Sequence, residues 1–240
     1  SSDVCSSDLL AMLILDIWSL NLIKAILSVI AVYNLYEIGY IQNDCETIKH
    51  EEIPTKRLSN DDLEFYEEKK VYIYATRLFL GFILTWFFYE AGVSILGLIA
   101  MWLVIPYYLV YNYIRGRINL FLILPLTGYR YCFPIFLYGC MVFSEKFWFI
   151  IICMFFAYPF PTFIEICSDG KGNLPEKWTL LFLPNFEGRF IFRIKYYFIM
   201  TLLCLGLSIL GKVESTLIFI PLYYLFDRIP QLKMNKLGGK

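Results

Sequence analysis

The chain has 240 residues, of which 59% are hydrophobic and 19% aromatic, and its formal net charge is zero. A soluble domain could not cover so much apolar surface, so the composition excludes a soluble globular protein and predicts an integral membrane protein. The zero net charge gives no support for a nucleic-acid partner. Seven scattered cysteines and a single histidine, His50, give none for a zinc site or a disulfide framework.

The first nine residues, Ser1–Leu9, read SSDVCSSDL, which resembles the translation of a common sequencing adaptor. We therefore expect residues 1–9 to be non-native and residues 10–240 to form one integral membrane helical domain. Leu10–Ile17 is apolar but short. It predicts either the remnant of a preceding helix or the start of one tilted helix from 10 to 41.

Apolar stretches of about 20 residues predict transmembrane helices. The expected fold class is therefore all-α, a polytopic transmembrane bundle of about seven full helices plus an N-terminal stump. The seven predicted helices cover 19–41, 71–90, 93–112, 118–141, 146–165, 190–211 and 213–228.

The distribution of basic residues predicts how the helices are oriented. Lys and Arg concentrate in 42–70, 113–117, 166–189 and the tail after 228, whereas the opposite side holds only Lys146 and Lys212. Cytoplasmic loops carry an excess of Lys and Arg. We therefore expect the two long acidic loops to be cytoplasmic, in a bacterial plasma membrane.

The stretch Tyr36–Leu58 carries an apolar helix directly into a loop rich in carboxylates. Asn34, Glu37 and Asp44 are spaced to share one helix face, which we expect to point into the bundle. A carboxylate inside the bilayer is costly and is by default a functional hypothesis. The alternative is that Glu37 pairs with Arg77 and only holds helices together.

A second acidic pair, Glu165 and Asp169, is one turn apart at the end of another predicted helix on the same side. Two carboxylate clusters that meet at one opening could hold Mg²⁺, which prefers oxygen ligands and bridges to phosphate oxygens. The candidates for clamping a diphosphate are Arg57, Arg115, Arg117 and Lys171. The alternative is that these flanking cations only set the topology.

Arg130 lies near the middle of a predicted helix, between Pro125 and Pro134 and close to Gly128. We expect the helix to be broken there, and non-helical backbone at this depth usually lines a cavity. Arg130 is therefore a candidate site residue, the alternative being that its side chain reaches outward to the interface.

The segment after the first predicted helix resembles a motif of the UbiA family of intramembrane prenyltransferases. That family carries N-D-x-x-D-x-x-x-D at the end of an early helix. Here Asn43 and Asp44 match, Thr47 stands at the second Asp position, Glu51 stands at the third, and Glu46 lies one residue from the second.

Three further segments are similar to elements of the same family. Arg57-Leu58 matches its R-P-L-like segment without the proline, and Tyr111–Arg115 its Y-x-x-x-K/R element. Glu165-x-x-x-Asp169 is similar to its second acidic motif. The family has nine helices, and a missing first helix with a short C-terminus would leave seven.

The resemblance implies a transferase in which Mg²⁺ binds the diphosphate of an isoprenyl donor. The C–O bond ionises, and a lipid-soluble acceptor, often aromatic, attacks the allylic cation. The implied metal ligands are Asp44, Glu46, Glu51, Glu165 and Asp169. The implied catalytic residues are Asp44, Glu51 and Arg115. The expected substrate-binding residues are Asn43, Arg57 and Lys171, together with Asn34, Glu37 and Arg130. The expected partners are the donor, the acceptor and the lipid bilayer.

Two other functions remain open at this point. In a transporter or flippase for an anionic lipid, Glu37, Arg77 and Arg130 would form a path at the membrane midplane. The other is a non-catalytic UbiA-like membrane protein, favoured by Thr47 in place of an aspartate.

Overall fold

The computed structural model of the protein describes residues 22–50, 57–114, 117–142, 147–168 and 189–238. All regular structure in these ranges is helical, which confirms the predicted all-α class for this part of the chain. The helices are α1 (Leu22–Cys45), α2 (Asn60–Glu90), α3 (Ile95–Trp102), α4 (Val104–Tyr113), α5 (Arg117–Val142), α6 (Phe147–Ala157), α7 (Pro159–Ser168), α8 (Arg189–Ile209) and α9 (Phe219–Gly238), with short 3₁₀ turns at Thr47–His50 and Ser215–Ile218.

Six helical segments of the described chain are long and apolar enough to cross a membrane, as an integral membrane protein requires. They correspond to α1, α2, α3 with α4, α5, α6 with α7, and α8. The seventh predicted span, 213–228, forms a 3₁₀ turn and then α9. This helix is not among the six, because its sequence soon reaches Asp227 and Arg228 and continues into two lysines.

α2 begins at Asn60, well before the predicted start at 71. Ser59 caps it: the Ser59 hydroxyl accepts a hydrogen bond from the Asp62 backbone N–H, and the Asp62 carboxylate accepts one from the Ser59 N–H, both at 3.1 Å. This reciprocal capping box satisfies free backbone donors in the first turn. The predicted loop through residue 70 was therefore wrong, since the charged stretch 61–70 is a polar extension of the helix.

The helix interruptions also differ from the prediction. α5 runs unbroken through Pro125 and Pro134, so the expected break there was wrong. Near Pro125, the Thr127 hydroxyl donates to the carbonyl of Ile123, and Tyr107 donates to the carbonyl of Leu122 at 3.1 Å. Side-chain donors of this kind let membrane helices tolerate proline.

Breaks occur instead at Leu103, between α3 and α4, and at Tyr158, between α6 and α7. Pro159 occupies the first position of α7, where its missing N–H costs nothing and its fixed φ suits a helix start. The fifth span is therefore made of two short helices that meet at Tyr158.

α1 lies at the centre of the fold and contacts α2, α4 and α5, while α5 also contacts α6 and α7. Gly39 permits the closest approach: a Cβ at this position would lie 2.1 Å from Cγ of Tyr108 on α4. The Asn112 amide also donates to the Gly39 carbonyl at 3.0 Å. α1 and α4 are thus held together where their tyrosines meet.

Candidate functional site

A cavity of about 250 Å³ lies between α1, α4, α5 and α7, and we call it the Arg130 cavity. Its polar lining combines Asn43 at the end of α1, Arg57 just beyond, and Arg130 of α5. The aromatic wall is formed by tyrosines of α1, α4 and α5 and by one at the junction of α6 and α7: Tyr36, Tyr40, Tyr108, Tyr111, Tyr131 and Tyr158. Since Arg57 is exposed and Arg130 is partly buried, the cavity leads from an open mouth into the bundle.

The guanidinium of Arg130 is surrounded by tyrosine rings. Its central carbon lies 5.1 Å from the ring centroid of Tyr33, 5.4 Å from that of Tyr36, 5.6 Å from that of Tyr40 and 6.0 Å from that of Tyr131. Such contacts attract a cation through the negative face of the ring. The side chain is thereby held in the cavity wall.

Part of the hydrogen-bonding capacity of Arg130 is unused. Nη1 donates to the Tyr40 hydroxyl at 3.4 Å, whereas the buried Nε has no hydrogen-bond partner in the described chain. Among the described lining residues there is no carboxylate. A cation with a spare donor and no counter-ion in the cavity is suited to bind an anion.

The helical repeat of α1 places its rings on the cavity face. Tyr33, Tyr36, Tyr40 and Asn43 follow steps of three, four and three, so they share one side of the helix. Tyr36 and Tyr108 meet edge to face at 5.0 Å between centroids. The face of α1 that lines the cavity is therefore largely aromatic.

The stripe predicted from the polar residues of α1 has other contacts. Asn34 is buried, but its amide donates to the backbone carbonyl of Arg77 at 2.7 Å and so ties α1 to α2. Glu37 is half-buried, and the described residues give it no ion pair, with Arg77 or otherwise. Neither Asn34 nor Glu37 lines the Arg130 cavity.

Asp44 organises the mouth of the cavity. Its Oδ1 accepts a hydrogen bond from the Asn43 amide at 3.1 Å and lies 3.5 Å from Nη1 of Arg57. The carboxylate thus touches two polar residues of the lining. This surface ion pair contributes little to stability, but it directs Arg57 toward the opening.

Glu46 faces away from the cavity. It accepts a hydrogen bond from the Tyr66 hydroxyl at 2.8 Å and pairs with Lys49 at 3.0 Å and Lys70 at 4.0 Å. Both lysines also pair with Glu67 of α2. The described contacts of Glu46 therefore join the end of α1 to the polar start of α2.

Glu165 forms a forked ion pair with Arg193 of α8. Nε of Arg193 donates to Oε1 at 2.6 Å, and Nη2 donates to Oε2 at 2.8 Å. Nη2 also donates to the Thr162 hydroxyl at 2.9 Å, and Nη1 to the Tyr197 hydroxyl at 2.7 Å. Arg193 is buried, so both oxygens of Glu165 are used by a cation inside the bundle.

The described residues do not form a magnesium site by themselves. No group of three or more His, Cys, Asp or Glu side chains within those ranges could hold a metal ion. Asp44 is the one described candidate ligand beside the cavity, and a single carboxylate is too few for such a site. The predicted residues Glu51, Arg115, Asp169 and Lys171 lie outside the described residues.

Comparison with protein-family models, curated proteins and solved structures finds no match. The features that indicate a function are therefore the residues of the Arg130 cavity and the segment that contains Asn43 and Asp44.

Two features of the site were missed by sequence reasoning. The spacing of Tyr33, Tyr36 and Tyr40 was available as a signal, but abundant tyrosines also form ordinary interfacial belts. The second feature is Arg193, which the sequence analysis did not single out. Its pairing with Glu165 joins residues distant in sequence and carries no local signal.

Proposed function

We propose that the chain is a UbiA-like intramembrane prenyltransferase that moves an isoprenyl group from its diphosphate to a lipid-soluble acceptor, often aromatic, in the Arg130 cavity. The main support for the proposal is that the Arg130 cavity places polar side chains inside an apolar helix bundle. Asn43, Arg57 and Tyr111, from three segments that resemble the family, line it together with Arg130.

The two guanidiniums suit a donor with an anionic head. Arg57 lies at the mouth, and Arg130 contacts α1 at Tyr36 and Tyr40, roughly 5–10 Å farther along the helix at 1.5 Å per residue. Forked arginine hydrogen bonds recognise phosphate oxygens well. The surrounding apolar helices suit the isoprenyl tail, so one cavity accommodates both halves of the donor.

The proposed reaction begins when the bond between the allylic carbon and the diphosphate oxygen breaks, leaving both bonding electrons on oxygen. Arg57 and Arg130 stabilise the departing negative charge. Tyrosine faces stabilise the allylic cation until the acceptor attacks it, and the bundle excludes competing water. The acceptor then bonds to the allylic carbon and loses its proton to the released diphosphate.

Magnesium is part of the proposal because the resemblance to the UbiA family implies it. When bound, it would neutralise charge on the diphosphate. We propose Asp44 as a ligand together with Glu51 and Asp169, which lie outside the described residues.

The transporter alternative receives no support from the described geometry. α5 is continuous through Pro125 and Pro134, and Glu37 does not pair with Arg77. A non-catalytic relative is an outcome of the following test.

Purified full-length protein should release diphosphate from labelled isoprenyl diphosphates of at least one chain length in the presence of Mg²⁺, and EDTA should stop the release. Asp44→Ala should abolish turnover while leaving expression intact, whereas the matched control Asp61→Ala, on the exposed start of α2, should remain active. Absence of release from every donor, with no effect of EDTA, would end the enzyme hypothesis. Retained activity in Asp44→Ala would remove Asp44 from the site.

A further inference from the structure

Arg193 of α8 is a buried cation that donates hydrogen bonds to three side chains. It is 4% exposed, and its Nε, Nη1 and Nη2 all donate to side chains of α7 or α8. A buried arginine is stable only when its donors are satisfied, so the arrangement depends on every partner.

This network reaches the wall of the Arg130 cavity through two side chains of the fifth span. Thr162, whose hydroxyl accepts from Arg193, lines the cavity, and so does Tyr158, whose ring centroid lies 5.4 Å from the Arg193 guanidinium. Tyr158 in turn packs on Tyr131 at 4.0 Å between centroids. Tyr131 is one of the rings around Arg130.

The helix that carries Glu165 is short and follows an interruption. α7 is a 10-residue helix that begins after Tyr158. The Tyr158 N–H donates to the Met154 carbonyl and the Thr162 N–H to the Tyr158 carbonyl, both at 3.1 Å, so the backbone continues from α6, and contacts with α5 and α8 add side-chain support. The Arg193–Glu165 pair is the strongest of these contacts, because it is forked and shielded from water.

We propose that Arg193 and Glu165 are a positioning pair that fixes the α7 wall of the Arg130 cavity, and that Glu165 serves this role instead of coordinating a metal. The inference rests on the proposed function. A metal ion on Glu165 would have to displace the fork and leave the Arg193 charge unpaired inside the bundle, which is strongly unfavourable.

Kinetics distinguish a positioning residue from a metal ligand. Arg193→Met and Glu165→Gln should each lower kcat by a similar factor, roughly 10- to 100-fold, because displaced cavity groups align the substrate poorly. The half-saturating Mg²⁺ concentration should stay unchanged in both variants, and Arg189→Gln is the matched control for loss of a cation outside the cavity. Arg193→Lys, which keeps the charge but not the fork, should recover part of the rate. A higher Mg²⁺ requirement in Glu165→Gln alone would overturn the proposal.

A second readout needs no turnover. Ile166 lies in the cavity lining, and the Ile166→Cys variant is treated with a small thiol reagent. Peptide mass spectrometry then measures the labelling rate at this position. Arg193→Met and Glu165→Gln should each raise this rate, roughly threefold or more, since α7 opens locally more often. Arg189→Gln should not change it.

The kinetic and labelling measurements distinguish failure of the proposed function from failure of the positioning role. If the wild type releases no diphosphate, the proposed function fails, whereas the labelling rate still decides whether the pair holds α7. Unchanged labelling in both variants overturns the positioning role. If Arg193→Met does not fold, the double variant Glu165→Leu with Arg193→Met removes both charges and should fold with the same raised labelling.

Discussion

Arg130 is enclosed by tyrosine rings and keeps an unpartnered Nε, an arrangement that agrees with the binding role proposed for it. Cation–π contacts offset part of the cost of moving its charge out of water. An anionic ligand would offset the rest. The same residue is therefore expected to affect ligand affinity and protein stability in opposite directions.

Arg130→Gln should weaken binding of a non-reactive isoprenyl diphosphate analogue by roughly 10- to 100-fold, the effect of losing a charge-assisted hydrogen bond of about 1.5–3 kcal/mol. Its unfolding temperature in detergent should stay the same or rise, because a poorly compensated cation has been removed. Tyrosine fluorescence titration and thermal unfolding measure the two effects.

Arg189→Gln is the control for this experiment, since Arg189 lies at the start of α8 beside Phe190 and outside the cavity lining. It should leave the affinity unchanged. Equal affinities of wild type and Arg130→Gln would exclude Arg130 from the binding site.

At the scale of helices, the close contact of α1 with α4 depends on the absence of a side chain at Gly39. Small residues let membrane helices approach each other, and here the approach brings Tyr108 beside Tyr36. The aromatic wall of the cavity is therefore a consequence of helix packing as well as of sequence.

Gly39→Ala should destabilise the protein by about 1–3 kcal/mol, the usual cost of overpacking, because the new Cβ would lie 2.1 Å from Cγ of Tyr108. Gly206→Ala is the matched control on α8, where nothing lies within 4 Å of an added Cβ. It should be neutral or stabilise by about 0.5–1 kcal/mol. Equal unfolding temperatures for the two variants would contradict the packing account.

Ser59→Ala should cost about 1 kcal/mol at the start of α2, because the capping box is lost. Hydrogen exchange should accelerate at the first turn, near Asp62. Thr76→Ala should leave that turn unchanged, since the Thr76 hydroxyl bonds only to carbonyls of its own helix. Unaltered exchange in Ser59→Ala would show that the cap does not hold the turn.

The sequence predicted most helices but not all their limits. The length of the apolar stretches located the spans. The start of α2 at Asn60 was not predicted, because residues 61–70 are strongly charged and resemble a loop, whereas the Ser59 cap is what begins the helix. The prolines of α5 predicted a break that packing and side-chain hydrogen bonds prevent. Local sequence patterns thus predicted where the helices lie, whereas tertiary contacts determine where the helices are interrupted.

For the whole molecule, the described chain has six apolar spans, and four of its helices line the cavity. The sequence singled out Asn43, Arg57 and Arg130, and the structure places these three residues around one cavity. It could not show that Glu46 pairs with lysines or that Glu165 pairs with Arg193, because both depend on which helices become neighbours.

The most direct test of the central claim is protection of a cavity residue by the donor. Thr127→Cys lines the cavity, and Thr76→Cys on the exposed face of α2 is its control. An isoprenyl diphosphate should slow thiol labelling of Thr127→Cys in a saturable way and leave labelling of Thr76→Cys unchanged. In the double variant Thr127→Cys with Arg130→Gln, the same donor concentration should give no protection. Labelling at 127 that is unaffected by the donor at any concentration would contradict the claim.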